Sequence, residues 1–449
     1  MSELGLGDHL IVDLYEVTML EAYLARGMNE LASFELFVRR LPETRRFLLA
    51  AGLEQALSFL ESFRLSPDEL ADLSRVHPLS PPVARRLSDL RFSGDVDAVP
   101  EGTVMFAGEP IIRVTARLSE AQVVETRLLN IIHFQTLIAS KAARAVLAAA
   151  GRPLIDFGLR RAHGGEAGVL AARAAYLAGF AGTSDVRAGA DLGSPIFGTM
   201  AHSFIQAHDE EAAAFADFAS VHGARVALLI DTYDTEAGAR KVVELAHSLA
   251  GQGAAFRAVR LDSGDLAEHA RRVRRILDEG GLRDVQIVAS SGLDEHAIAA
   301  LVASGAPIDR FATGTKVVTS ADAPYLDCAY KLVEYAGRPR WKRAEGKQTW
   351  PGRKQVWRTR NAAGLLVSDC LAPVSETVKG ATPLLEPVMR AGRRLGPRRP
   401  LEQIRSAALA EVRGLPEGVR SLEPGPRFPV RVSERLAIRS PDPNQGPRR

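Results

Sequence analysis

The sequence predicts an α/β protein whose middle is a (β/α) barrel, regular or not, with an N-terminal α+β domain that the C-terminal segments complete. Three observations lead there: short apolar runs recur from about residue 150, Ala-rich amphipathic stretches separate them, and polar residues gather where each run ends. The runs are LIDFGLR from Leu154, FAGTSD from Phe180, PIFGTMAH from Pro195 and VALLIDTYD from Val226, then AFRAVRLDSGD from Ala255, VQIVASSG from Val285 and DRFATGTK from Asp309. Unbroken apolar runs suit strands covered on both faces, as in a parallel sheet. The stretches between them, such as EAGVLAARAAYLAG and EAGARKVVELAHSLAGQG, read as helices closing on Gly. Such units in unbroken succession favour a barrel, with an open doubly wound sheet as the alternative. Either architecture places its ligand at the C-terminal ends of the strands.

Residues 1–118 read as the mixed α+β domain. ELASFELFVRRLPETRRFLLAAGLEQAL suggests strand, turn, strand and helix, and GTVMFAGEPIIRVTARLS suggests a β-hairpin. The barrel domain, 119–325, is entered through a long helix opened by Ser119 as N-cap with Gln122 three residues on. Residues 326–436 turn strand-like and then loop-rich and are expected to pack back on the N-terminal domain. The Pro- and Arg-containing stretch 437–449 reads as a flexible tail.

Composition narrows the classes of function. Across 449 residues, 46% apolar and 25% charged side chains are ordinary for a soluble globular protein. The 57 basic and 54 acidic residues leave a net charge of +3, too little for the field of a nucleic-acid or membrane-surface protein. Two cysteines, Cys328 and Cys370, suit a reducing cytoplasm better than a disulfide framework. The N-terminus lacks the basic and apolar regions of a signal peptide, and no window reaches the ~18–20 apolar residues of a membrane span.

The residues able to do chemistry stand at the run ends. His202 in GTMAHSF follows a Gly-Thr pair at the start of a predicted helix, where an imidazole can accept a phosphoryl group or act as acid and base, with Thr199 and Ser203 as hydroxyl donors. A capping histidine without chemistry is the bland alternative. In RLDSGD, Asp262 and Asp265 can hold Mg²⁺ through waters or grip a ribose diol, and Arg260 can clamp a carboxylate. Asp231 and Asp234 supply carboxylates one run earlier; helix capping competes as an explanation for all four. Ser291 and Gly292 in SSGLDEHA, and Gly314, Thr315 and Thr319 in ATGTKVVTS, suit a phosphate cradle of backbone N–H groups. Phe157 with Arg160 and Arg161 suits a planar, anionic aromatic ligand, although core packing explains Phe157 equally well.

Taken together, these segments resemble nicotinate phosphoribosyltransferase. The likeness runs from VDLYEVTMLEAYLARGMNELASFELFVRRLP through GLEQAL, ETRLLN, FGLRRAHG, GTSDV and FGTMAHSF to RLDSGD, ASSGLDE, GTKVVTS, KQTWPGRKQVWR and LPEGVRSLEPGPRFPVRVS, in the family's order. The resemblance implies transfer of phosphoribose from phosphoribosyl pyrophosphate to nicotinate in NAD salvage, releasing pyrophosphate and coupled to ATP hydrolysis with Mg²⁺ (the chemistry of an ATP-dependent ligase). It implies that His202 is transiently phosphorylated and that Thr199 and Arg260 contact substrate. It implies further that Tyr15 stacks on the pyridine ring from the partner subunit of a homodimer and that Thr315 or Thr319 binds phosphate. Related enzymes that use the amide carry an acidic residue where Ser184 stands; a hydroxyl there favours the acid. Asp231 and Asp262 are the candidates for the carboxylates beside the ribose as positive charge develops on it. A phosphoribosyltransferase for nicotinamide or quinolinate, and an inactive ligand-binding barrel, are the rival readings.

Overall fold

The computed structural model describes residues 9–223, 226–249, 256–342 and 349–438. The expected tail lies outside them from residue 439, and the helix Glu434–Ile438 runs past the point where the tail was expected to begin. The contacts divide the chain into two compact units, Met1–Ser140 with Ala323–Arg449, and Lys141–Asp322. Residues 119–140, read from the sequence as the entrance to the barrel, group with the first unit.

The second unit holds a parallel sheet of six strands, β1 (Leu154–Asp156), β2 (Gly182–Thr183), β3 (Val226–Leu229), β4 (Phe256–Leu261), β5 (Gln286–Ala289) and β6 (Arg310–Thr313). Their order is β2-β1-β6-β5-β4-β3, so the first strand of the unit pairs with the last. All the pairings are parallel, and the helices Gly165–Leu177, Thr235–Ser248, Leu266–Glu279 and Glu295–Ala303 supply crossovers. This is a barrel, but an irregular one. The run from Pro195 is a single bridge, Ile196 to Thr183, and not the strand that the sequence suggests.

The reason lies in the run's own residues. Pro195 has no N–H for a ladder, and only its carbonyl is used, accepting from Thr183 N at 3.0 Å; Phe197 N donates back to Thr183 O at 2.9 Å. On the other side, among the described residues, no ladder joins the run to β3. A side chain spans the seam there: Thr199 Oγ1 donates to Ala227 O at 2.5 Å. The close approach of this run to β2 also explains Gly182, where a Cβ would sit 2.1 Å from Pro195 O and 2.7 Å from the Phe197 ring.

Aspartates start most of the helices that leave the barrel's strand ends. Asp185, Asp234, Asp265 and Asp294 each accept from backbone N–H groups of the first turn. The capping reading thus describes Asp234 and Asp265 directly, whereas Asp231 and Asp262 cap nothing.

In the first unit, the central sheet runs 338–339, 328–335, 31–38, 110–117, 95–98, 386–390 and 393–394 in spatial order, with antiparallel pairings. C-terminal segments therefore complete the N-terminal sheet on both sides. The hairpin expected around Gly108 is not formed. Val104–Met105 pairs with Leu48–Leu49, while Pro110–Arg117 lies between 31–38 and 95–98. The polar groups between the two strands are already engaged: Glu109 accepts from Phe106 N at 2.8 Å and Gly108 N donates to Val38 O at 2.8 Å. Ser119 lies inside a helix (Leu118–Val123) that begins one residue before it, and its hydroxyl donates to Asn29 instead of capping. A second helix, Glu125–Ala148, then carries the chain onward.

Glu16, on the helix Leu14–Ala25, is fully buried and accepts from Thr126 N at 2.8 Å and Thr126 Oγ1 at 2.7 Å. Burial pushes its carboxyl up to about 8, and the negative charges of Glu125 and Asp13 add to the shift. The folded chain therefore keeps a proton that the unfolded chain releases near 4.5, and stability falls as pH rises between those two values. Glu16→Gln is expected to gain on the wild type progressively across that range in thermal denaturation; a gap that does not change with pH would contradict the assignment. Gly182→Ala is expected to cost about 1–3 kcal/mol as the Pro195 run is forced away from β2, read by chemical denaturation.

Candidate active site

A strand alternates its side chains between two faces, and this period builds the site. Ile155, Ala258, Val288 and Ala312, from four different strands, form a buried apolar cluster inside the barrel, with Phe157, Phe197 and Ala227 packed against it. Two residues onward on the same face stand Phe157 after Ile155, Arg260 after Ala258 and Ser290 after Val288. An arginine between the apolar Val259 and Leu261 is thus an inward residue at the polar end of a strand. Its guanidinium lies over the Phe157 ring at 5.3 Å.

Above this floor opens a cleft of ≈ 430 Å³. Phe157, Arg160, Ser184, Thr199, His202, Arg260 and Asp262 all line it, together with Leu159, Phe197, Gly198, Met200, Ala201 and Leu229. Seven residues singled out from separate stretches of sequence therefore meet at one opening. The added apolar residues give it an apolar wall suited to a flat ring.

The polar groups form one network. Arg260 Nε donates to Ser290 Oγ at 2.8 Å and its Nη2 donates to Asp262 Oδ1 at 2.8 Å, while the Ser290 hydroxyl also donates to Asp262. Burial opposes charge on Asp262, but the Ser290 hydroxyl, the Arg260 guanidinium and His202 outweigh it and hold the carboxyl below its ordinary range. Its other oxygen faces His202 Nε2 at 3.8 Å. His202 Nδ1 lies 3.0 Å from Thr232 Oγ1. The helix that His202 begins has only five residues, so its ring is held by these two side chains more than by any helix dipole.

Asp231 serves the site from behind. Its Oδ2 accepts from Asp262 N at 2.6 Å and Ser263 Oγ at 2.7 Å, which fixes the turn carrying Asp262. It is not among the residues that line the cleft. Asp265 turns its Oδ1 to the N–H groups of Ala267 and Glu268. Arg160 lines the cleft and Arg161 beside it does not.

The two late loops leave β5 and β6 at this same end of the barrel. Ser291 (φ 92°) and Gly292 (φ 59°) are both left-handed, which turns the backbone sharply after β5. Gly314 precedes a single helical turn, Thr315–Val318, and Thr319 Oγ1 donates to Thr315 O at 2.7 Å. Lys316 Nζ reaches Asp294 at 2.8 Å and ties the loops together, a cation that motif reading passed over. Ser291, Gly292, Gly314, Thr315 and Thr319 do not line the cleft itself. Tyr15 belongs to the first unit, where it is 45% exposed; burial and the charges of Glu125 and Glu16 push its phenol above the ordinary value.

Comparison with known proteins decides the family. Residues 10–133 match the nicotinate phosphoribosyltransferase N-terminal domain and residues 153–361 match the nicotinate phosphoribosyltransferase family. A Mycobacterium tuberculosis protein named nicotinate phosphoribosyltransferase pncB2 is 50% identical over 429 residues, covering 95% of this chain and 92% of its own. The chain belongs to the nicotinate phosphoribosyltransferase family. The crystal structure of human nicotinic acid phosphoribosyltransferase superposes with a TM-score of 0.85 at 30% identity, covering 95% of this chain and 98% of that one. A structure described as nicotinate-nucleotide pyrophosphorylase from Pyrococcus furiosus aligns with a TM-score of 0.75 at 25% identity, over 92% of this chain and 97% of that one.

Two residues of this family member escaped sequence reading because their types are common. Thr232 stands between Asp231 and Asp234, whose carboxylates carry the sequence signal, and Ser290 opens the stretch SSGLDEHA, which suggests a phosphate cradle built on Ser291 and Gly292. Only their partners, His202 and the Arg260–Asp262 pair, give them meaning. The resemblance makes Thr199 a substrate contact; in the structure its hydroxyl donates to Ala227 O across the barrel seam. Thr199→Val is expected to destabilise the protein by about 1–2 kcal/mol in denaturant unfolding, since it strands the Ala227 carbonyl, and Thr199→Ser to recover most of the loss.

Proposed function

We propose that the chain transfers phosphoribose from phosphoribosyl pyrophosphate to nicotinate, forming nicotinate mononucleotide and pyrophosphate in NAD salvage, and couples this to ATP hydrolysis through a phosphohistidine at His202. The observation that carries this reading is the shared cleft: a histidine held between Thr232 and Asp262 opens onto the same space as Arg260, Ser184 and Phe157. Family membership supports it across nearly the whole chain.

The residues fit the chemistry in the following way. Phe157 and the apolar wall suit the pyridine ring, and the Ser184 hydroxyl and Arg160 can meet its carboxylate. In the coupling step the imidazole attacks the γ-phosphorus of ATP, the bond to the bridging oxygen breaks and ADP leaves. In the transfer step the C1–O bond to pyrophosphate breaks while the nicotinate ring nitrogen bonds to C1. Asp262, kept ionised by its partners, faces the positive charge that develops on the ribose. Water then releases phosphate from His202.

Mg²⁺ fits the site as a companion of the substrate. Among the described residues no group of three or more His, Cys, Asp or Glu side chains is arranged to hold a metal ion. Magnesium is commonly held by one or two carboxylates plus substrate phosphates, and Asp262 offers an oxygen toward the cleft; Asp265, the second carboxylate expected from the sequence, is turned to the N–H groups of Ala267 and Glu268 and does not line the cleft. Bound there, the ion would neutralise charge on the departing pyrophosphate. The reading extends to a cytoplasmic homodimer in which Tyr15 completes the partner's site. Cys328 and Cys370 are unpaired, and among the described residues no helix is long and apolar enough to cross a membrane.

An assay of ATP hydrolysis and nucleotide formation with nicotinate, nicotinamide or quinolinate tests the proposal. Nicotinate is expected to stimulate both; equal turnover of nicotinamide would overturn the preference for the acid. His202→Ala is expected to abolish the nicotinate-dependent ATPase and acid-labile labelling by γ-labelled ATP while leaving slow, uncoupled phosphoribosyl transfer. Arg260→Ala is expected to raise the KM for nicotinate or phosphoribosyl pyrophosphate about ten- to a hundredfold, as a charge-assisted contact is lost.

A further inference from the structure

Two networks hold the cleft. Ser290, Thr232 and Asp231 serve Arg260, His202 and Asp262. The residues of the ring slot, Phe157, Ser184 and Phe197, depend instead on a pair that stands outside it. They meet the first network where the Arg260 guanidinium lies over the Phe157 ring. Asp156 and Thr183 are cross-strand partners in the β1–β2 ladder, 4% and 1% exposed. Ile155 faces the barrel interior, so Asp156 faces away from it, and neither Asp156 nor Thr183 lines the cleft.

A carboxylate so placed must be met by donors, and its donors are specific. Asp156 Oδ1 accepts from Gly158 N at 2.8 Å, and Oδ2 accepts from Thr183 Oγ1 at 2.8 Å. The first bond turns the chain directly after Phe157, so closely that a Cβ on Gly158 would lie 2.9 Å from Oδ1. The second bond orients the Thr183 hydroxyl, whose oxygen accepts from Asp185 N at 3.0 Å. The Asp156 carbonyl accepts from Ser184 N at 2.8 Å, so both peptide N–H groups flanking the Ser184 side chain are tied to this pair. Thr183 also holds the Pro195 run: its N–H donates to Pro195 O and its carbonyl accepts from Phe197 N.

We propose that Asp156 and Thr183 are positioning residues for the acceptor half of the cleft, their side-chain bond fixing the Phe157 turn against the Ser184 turn and so setting the width and the polar edge of the slot. The consequence for substrate rests on the function proposed above. There the pyridine ring lies against Phe157 and its carboxylate meets the Ser184 hydroxyl. A hydroxyl displaced by about 1 Å no longer donates in good geometry, so a loosened pair costs recognition of the acid. The phosphoryl half, with His202 and Asp262 on their own partners, keeps its arrangement.

The test compares Thr183→Val, which keeps the shape and removes the hydroxyl, with Thr183→Ser, which restores it. Asp156→Asn, which keeps the volume and replaces one carboxylate oxygen by a donor, is the milder second variant and carries the same comparison if Thr183→Val does not fold. Both Thr183→Val and Asp156→Asn are expected to raise the nicotinate KM about tenfold, the loss of one hydrogen bond to a charged group, with kcat and the KM for phosphoribosyl pyrophosphate held within about twofold. Thr183→Ser is expected to return the nicotinate KM to that of the wild type. Amide hydrogen exchange without substrate is expected to quicken in segments 157–161 and 183–186 of the two impaired variants and not in segments 231–234 and 260–263. An unchanged nicotinate KM, an equal rise in both KM values, or a lowered melting temperature and kcat with both KM values unchanged would overturn the proposal. In a wild type that does not turn over nicotinate, the proposed function is defeated and the exchange pattern alone decides: quickening confined to the two named segments upholds the role of the pair, and any other pattern overturns it.

Discussion

The site depends on a guanidinium placed inside a barrel. Arg260 points inward from β4 because Ala258 does, and a charge in that position must be paired at once. Ser290, Asp262 and the face of Phe157 answer the need, each from a different strand end. The same pairing keeps Asp262 ionised and leaves its second oxygen toward His202. Removal of any one member would leave the others mispaired, so charge balance, barrel register and the candidate chemistry are one constraint.

A second constraint is the seam. Six strands curl until β1 meets β6, and the Pro195 run fills the remaining space with a single bridge. Irregularity at this point is useful. A regular strand would have committed the backbone of 195–202 to ladders and directed alternate side chains away from the opening. Instead Phe197, Gly198, Thr199, Met200, Ala201 and His202 all reach the cleft. Thr199 compensates for the missing ladder with one hydroxyl bond, and Gly182 lets the run approach.

Four aspartates cap helices around the barrel mouth, and two do not. Asp234 and Asp265 hold first-turn N–H groups, whereas Asp231 holds a turn and Asp262 holds Arg260. Identical side chains a few residues apart thus divide between building the scaffold and furnishing its opening. The division follows from where each strand ends relative to the start of its helix.

Much of this was legible in the sequence. Apolar runs with polar ends fix a strand's burial and its C-terminal end, so the barrel, the opening and the gathering of His202, Arg260, Asp262 and Phe157 could be anticipated from period and order, and Ser184 from the family resemblance. Local pattern failed where partners lie far along the chain. The strands flanking Gly108 looked like a hairpin and instead join different sheets, since Glu109 and Val38 had already taken up the turn's N–H groups. Ser119 looked like a cap and binds Asn29 instead. Thr232 and Ser290 carried no signal because a hydroxyl in a loop means nothing until something stands opposite it. The amino-acid sequence by itself determined the strand–helix repeat and the chemical inventory of the opening, because both are properties of short segments. Only the tertiary structure decided which hydroxyl meets the histidine, which aspartates are spent on helix caps and how the barrel closes, because those depend on distances between strand ends that no local pattern encodes.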